Sequence, residues 1–473
     1  MTALHDLDLV SAGAACRRGE LSSLELTRAL LARIDALNPR LNAFVEITHE
    51  RALEDAARAD AERAAGMDRG ALHGMPIALK DLIDTAGIRT AAGSGIYRDR
   101  IPNCDATVAA RLREAGAVLL GKTNTHELAF GITTNNPHFG PSKNPWDVTR
   151  TPGGSSGGSA VAVVARLALA ALGTDTGGST RIPAALSGCI GLKPTFGLVP
   201  TTGIAPMSFI GDHVGTLTRT VADAALLLTA IAGDDPADAN ALPLALPPLS
   251  DALAARHLRG LRFGIPRSAL WRWLDPEVAA AAESALAVLR ELGAETREVE
   301  LPDVLPALGL PGSLGYFSFV LEESRQAHRA ARAQHPSGLG AELAGLYGMP
   351  ELPGSLLVQA LEAVREYAVA VRRTLASCDL LVCPTVPVPA PPLDVADVQI
   401  GPATLPFIAV GLANTAPFNL ARVPALSIPC GFTRSGLPIG LQLAGRPLGE
   451  ATVLRAATAY EAATPWTAWA PRL

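Results

Sequence analysis

The chain has 473 residues, 48% hydrophobic and 18% charged, with a formal net charge of −5. That content supports a large buried core, and the acidic balance argues against a general binder of nucleic acid or anionic membranes. No apolar run reaches the roughly 18 residues of a transmembrane helix, and the N-terminus lacks the basic-then-apolar order of a secretory signal.

Six cysteines, at 16, 104, 189, 378, 383 and 430, form no C-x-x-C pair and no zinc pattern. Reduced thiols in a cytoplasmic protein are expected. His126-Glu127 begins like H-E-x-x-H, but position 130 is Phe, so neither a metal site nor a cofactor is expected.

Ser22-Ser23-Leu24-Glu25 opens a helix as a capping box. Leu26, Leu30, Ile34 and Leu37 continue it at helical spacing, and Pro39 is expected to end it. Arg51 to Gly66 reads as a second, Ala-rich helix, and residues 1–65 as an outer helical layer. Met75 to Ile83 predicts a short apolar strand with Lys80 inside it. Such a lysine either sits on an exposed edge or is drawn into a site where desolvation lowers its pKa. Ala106 to Ala115 predicts a helix and Ala117 to Gly121 a strand. The following loop, Lys122 to Gly131, could line a pocket, with His126 as an alternative base.

Thr151 to Thr195 is the most informative stretch. Two Gly/Ser clusters, Gly153–Ser159 and Gly173–Ser179, flank the apolar segment Ala160–Leu172, which reads as a buried helix with a cluster at each end. Glycine permits close backbone approach and serine brings a hydroxyl. A flexible linker does not fit, because the clusters lie in the most apolar part of the chain. A phosphate-binding loop lacks its Lys-Ser/Thr, and the dinucleotide G-x-G-x-x-G is absent. Gly153 to Gly157 matches G-x-S-x-G around Ser155, but the approach from Trp146 is polar and ends at Pro152, not in a strand. Ser159 is expected to cap the following helix, and Ser156 to carry no chemistry.

Beyond Thr195, Asp212 to Gly215 reads as a turn with a structural His213, and Val221 to Ala232 as a helix. Asp235 to Leu253 reads as a surface connection. A βαβ unit follows: strand Leu261–Ile265, a helix capped by Asp275 with Pro276 first and Gly293 past its end, and strand Glu295–Leu301. Residues 304–355 hold many Gly and Pro around a helix from Tyr316 to Ala333, and substrate choice is expected there. A helix from Leu356 to Ser377, a buried strand after Asp379, a polar loop Asn414–Asn419, strands Ala425–Cys430 and Pro438–Leu443, and a helix Thr452–Ala462 complete the chain.

GGSSGGSA, GTDTGGSTRIPA and GxKPT, with GMPIALKD upstream, together resemble the signature of the amidase signature family. The spacings from Lys80 to Ser155 and from Ser155 to Ser179 match as well, and a weaker likeness runs from about Leu7 to the C-terminus. The resemblance implies an α/β fold: a single domain over 1–473 with a large mixed central β-sheet covered by helices on both faces. Within it, 66–230 would be the catalytic core, 231–378 a variable substrate-selecting insertion and 379–473 a return to the core sheet.

The resemblance further implies roles for individual residues. Ser179 would be the acyl-forming nucleophile, Ser155 a bridging serine after a cis peptide at Gly154–Ser155, and Lys80 the base. Thr176, Gly177, Gly178 and Ser179 would offer backbone N–H groups to an oxyanion. Ala129 and Gly131, with Ser155, would contact substrate, and Thr174, Asp175 and Arg181 would brace the loop, the Asp175 carboxylate pointing away. A Ser–Lys site is physically sound if the lysine is neutral, which requires its pKa to fall from ~10.4 to about 7–8.

The implied activity is hydrolysis of a small-molecule amide, releasing ammonia or an amine, without cofactor, nucleic acid or membrane, with a homodimer as the candidate assembly. One alternative is the glutamine-hydrolysing A subunit of a tRNA-dependent amidotransferase, although the Gly/Tyr-rich segment of that subunit is not apparent after Ser324. A catalytically silent binding protein is opposed by the intact Lys80, Ser155 and Ser179.

Overall fold

The computed structural model describes residues 3–309 and 315–473. Eleven strands form one mixed sheet flanked by helices. Their spatial order is Phe44–Ile47, Val118–Thr123, Pro76–Lys80, Ala170–Thr174, Val214–Thr218, Ile190–Lys193, Ala425–Phe432, Pro438–Gly445, Leu380–Pro384, Arg262–Ile265 and Glu295–Glu298. The C-terminal strands thus join the sheet beside Ile190–Lys193, and the βαβ unit extends its far edge.

Two neighbouring strands position the site. Pro76–Lys80 runs parallel to Ala170–Thr174, with Leu79 opposite Leu172. Every residue of both is buried, as befits parallel strands covered on both faces. Lys80 and Thr174 are the last residues of the two strands, at the carboxyl ends where α/β folds bind ligands. The short helices Gly157–Val164 and Arg181–Ser187 pack against the middle strands. No helix among the described residues is long and apolar enough to cross a membrane.

The βαβ unit forms as expected, with Asp275 accepting from the N–H groups of Glu277 and Val278. Several expectations need correction. Pro39 does not end its helix, which runs Ser23–Leu41. A proline in the last turn forfeits only one hydrogen bond, and the left-handed Asn42 closes the helix by donating to Asn38. Ala160–Leu172 is not one helix: the helix stops at Val164, Arg166 turns with φ +58, and Ala170–Thr174 is a strand. Uniform burial erases the periodicity that would separate the two.

Ser159 caps nothing. It lies inside the helix, its hydroxyl 2.6 Å from Thr123 Oγ1 and donating to Leu172 O. The helix expected over Tyr316–Ala333 divides at His328 into Tyr316–Ala327 and Arg329–Gln334. Asn414–Asn419 is not a polar loop: Ala416–Leu420 is a short buried helix, with Thr415 donating to Gly177 O, Asn419 to Asp175, and Asn414 to the carbonyls of Leu270 and Pro384. Within the expected specificity region, residues 310–314 lie outside those described.

Candidate active site

Lys80 is completely buried at the end of its strand. Its Nζ lies 2.8 Å from Ser155 Oγ and 2.8 Å from Thr174 Oγ1. Burial lowers its pKa to about 7, against the raising pull of Asp212 and Asp175. Near neutral pH much of the amine is therefore uncharged, with two hydrogens and one lone pair for two hydroxyl neighbours. Thr174 is more than a loop brace, since its hydroxyl touches the Lys80 amine directly. Asp81, next in sequence, leaves this environment. Its carboxylate accepts from the N–H groups of Ala91 and Gly93, and burial lifts its pKa to about 6 against the lowering charge of Lys122.

Ser155 follows a cis Gly154–Ser155 peptide. Its carbonyl accepts from His126 N at 3.1 Å and from Thr134 Oγ1 at 3.2 Å. A Cβ at position 154 would come within 2.8 Å of the backbone nitrogens of Thr133 and Thr134, so glycine alone permits this approach. Ser156 N donates to Ser179 O at 3.1 Å, which locks the two serine clusters together.

The turn 175–179 has its first four carbonyls held from outside. Asp175 O accepts from His213 Nδ1 and Asn419 Nδ2, Thr176 O from Tyr316 Oη, Gly177 O from Thr415 Oγ1 and Gly178 O from Ile182 N. Among the described residues, no protein acceptor takes the N–H groups of Thr176, Gly177, Gly178 or Ser179. Four adjacent donors thus remain free for an anionic or carbonyl oxygen. The Thr176 side chain also donates to Asp212, at 2.6 Å.

Arg181 and Asp175 form an ion pair at 2.9 Å with both side chains fully buried. Burial alone would raise the Asp175 carboxyl, but the charge and hydrogen bonds of Arg181 hold it well below the usual carboxylate range. The carboxylate therefore points away from the free N–H groups. Arg181 further donates to Thr415 O, Asn419 Oδ1 and Gln442 Oε1. It anchors the loop and has no free edge for a substrate carboxylate.

A cavity of about 530 Å³ opens over Ser179 and Gly177. Ala129 and Gly131 line it near the serine, and Phe130, Ile132, Phe317, Leu321, Ile408 and Leu412 make its wall apolar. Leu128 and Ala129 both have positive φ, at +46° and +64°, a conformation costing roughly 1–2 kcal/mol each outside glycine. Hydrogen bonds from Leu128 N to Ala92 O and from Ala129 N to His126 O hold them there. Ala129 O accepts from Gly131 N at 3.0 Å and keeps a second lone pair. Glu322 and Glu342 are the only charged residues among the described lining, and Arg325 neutralises Glu322 at 3.0 Å.

His126 is not placed as a base. Its ring lies 3.6 Å from Glu342 and 3.4 Å from Thr133 Oγ1 and packs against Gly131, and it bonds neither Ser155 Oγ nor Ser179 Oγ. Asp212, Tyr316, Thr415, Asn419 and Gln442 were not visible as site residues in the sequence. The available signal was weak: polar residues within apolar surroundings, as at Thr415 and Gln442.

A family model described as Amidase matches residues 25–454. The chain is 40% identical to the A subunit of the glutamyl-tRNA(Gln) amidotransferase of Geotalea daltonii, over 95% of this chain and 96% of that protein. It is 42% identical to the corresponding A subunit from Roseiflexus sp., over 100% and 99%. The structure of 6-aminohexanoate cyclic dimer hydrolase complexed with substrate superposes with a TM-score of 0.86 at 31% identity, covering 99% of both chains. The native peptide amidase of Stenotrophomonas maltophilia gives 0.83 at 35% identity, covering 96% of both.

Proposed function

The chain belongs to the amidase family and is an amide carbon–nitrogen hydrolase, and on that premise we propose that it works through an acyl-enzyme on Ser179. The observation that carries this reading is the buried Lys80 amine at 2.8 Å from Ser155 Oγ. A serine hydroxyl needs a base to become an effective nucleophile. Lys80 accepts the Ser155 proton while Ser155 accepts that of Ser179, and Ser179 Oγ bonds to the amide carbon. The carbonyl oxygen becomes an oxyanion facing the free N–H groups of 176–179. As the C–N bond breaks, the proton returns through Ser155 to the leaving nitrogen. Water then attacks the ester by the same relay, releasing the acid and restoring Ser179.

The cavity favours an uncharged, largely apolar acyl group, because its described lining holds no unpaired cation for a carboxylate. A second reading, glutamine hydrolysis within a tRNA-dependent amidotransferase, draws on the full-length similarity to A subunits. The α-carboxylate of glutamine finds no counter-ion in that described lining, which favours the stand-alone amidase. Ammonia release from acetamide, hexanamide, benzamide and glutamine, wild type beside Ser179→Ala, separates the two. The first reading expects release from the apolar amides, lost in the variant. Release from glutamine alone would overturn the first.

A further inference from the structure

A trans peptide is planar, with its N–H antiparallel to its C=O. A donor that grips one residue's carbonyl therefore aims the N–H of the next. Tyr316 Oη donates to Thr176 O at 2.8 Å and so directs the Gly177 N–H. Thr415 Oγ1 donates to Gly177 O at 2.7 Å and so directs the Gly178 N–H.

Tyr316 is 2% exposed and is the first residue of the helix Tyr316–Ala327. The same helix turns Phe317, Ser318 and Leu321 toward the cavity. Room for the hydroxyl is built in: a Cβ at Gly211 would fall 1.8 Å from Tyr316 Oη. Burial raises the phenol pKa well above its ordinary value, so the proton stays available for donation.

We propose that Tyr316 is a positioning residue for amide hydrolysis, its hydroxyl setting the oxyanion donor Gly177 N–H through the Thr176 carbonyl, with Thr415 doing the same for Gly178. The assignment rests on the reading of 176–179 as the oxyanion site. It means that one helix supplies both the acyl wall and a strut of the catalytic turn.

Tyr316→Phe keeps the ring and removes only the donor. The expected result is a fall in kcat of about tenfold, smaller than the roughly 10²–10³ for losing a whole oxyanion donor. KM should stay within about twofold. Affinity for an alkylboronic acid, which forms a tetrahedral adduct on Ser179, should fall by a similar factor to kcat. Binding of the parent amide, measured calorimetrically in a Ser179→Ala background, should not change. Thr415→Val should repeat the pattern and Thr415→Ser should rescue it, which keeps the test alive if Tyr316→Phe does not fold. Unchanged kcat and boronate affinity, or equal loss of amide and boronate binding, would reduce Tyr316 to packing. A wild type that neither hydrolyses amides nor binds boronate would overturn the oxyanion reading first, and this assignment with it.

Discussion

Lys80 and Ser155, 75 residues apart in the chain, meet at 2.8 Å inside the protein. The contact exists because the Lys80 strand runs parallel to Ala170–Thr174, while the helix after Ser155 packs across both strands. Replacing Lys80 by Met preserves the stem and removes the amine. We expect kcat to fall by at least about 10³-fold, in line with losses of groups that act as a unit. Far-UV circular dichroism and Tm should hold or improve, since a buried amine is removed. Activity near wild type would refute Lys80 as the base.

Acid pH should silence the enzyme reversibly. Burial lowers the Lys80 pKa to about 7, and only the uncharged amine can accept a proton. kcat/KM should therefore rise with pH through an inflection near 7 and level off above it. A profile flat from pH 5.5 to 9 would show that Lys80 does not gate the reaction.

Fluorophosphonate labelling followed by peptide mass spectrometry should place the adduct on Ser179. Ser155→Ala should slow labelling without moving it. An adduct on Ser155 would exchange the roles of the two serines.

The two central glycines of the turn should respond differently to alanine. At Gly178 a Cβ would lie 2.2 Å from Thr415 Oγ1, at φ +142°, so Gly178→Ala should abolish turnover. At Gly177 the nearest atoms are Leu412 Cδ2 at 3.0 Å and Phe317 Cζ at 3.1 Å, both ends of side chains on the cavity wall. Gly177→Ala should keep acetamide turnover within about tenfold while reducing kcat/KM for benzamide further. Equal losses on both substrates would show that the wall does not discriminate by acyl size.

Arg181→Met leaves the buried Asp175 carboxylate without its counter-ion. Breaking a buried pair from one side costs roughly 3–5 kcal/mol, and urea denaturation should show a loss of that order. Adding Asp175→Asn should recover part of it. A loss below about 1 kcal/mol would mean that the loop does not depend on the pair.

The groups written contiguously in the sequence were the legible ones. The glycine-rich turns stood out by composition and Lys80 as a lysine inside an apolar strand, while the roles expected of Lys80, Ser155, Ser179 and Asp175 came from their resemblance to the amidase signature. The βαβ unit was readable because Asp275, Pro276 and Gly293 punctuate its helix. Ala160–Leu172 misled because, Arg166 apart, the segment is buried throughout and has no polar face to reveal its period. Tyr316 and Thr415 were invisible because their partners are carbonyls 140 and 238 residues away, and a backbone acceptor leaves no mark on composition. Asn414–Asn419 read as a polar loop for a related reason: Thr415 and Asn419 face Gly177 and Asp175, and Asn414 the carbonyls of Leu270 and Pro384, rather than water.

Arg181 also sets an order of events in biosynthesis. Its partners Thr415, Asn419 and Gln442 lie 234, 238 and 261 residues further along the chain, and so leave the ribosome well after it. A nascent chain that already contains Lys80, Ser155 and Ser179 still lacks the groups that fix the turn between Asp175 and Ser179. A product that stops before Thr415 would carry Lys80, Ser155 and Ser179, yet leave the Arg181 guanidinium with Asp175 as its one remaining partner among the described residues.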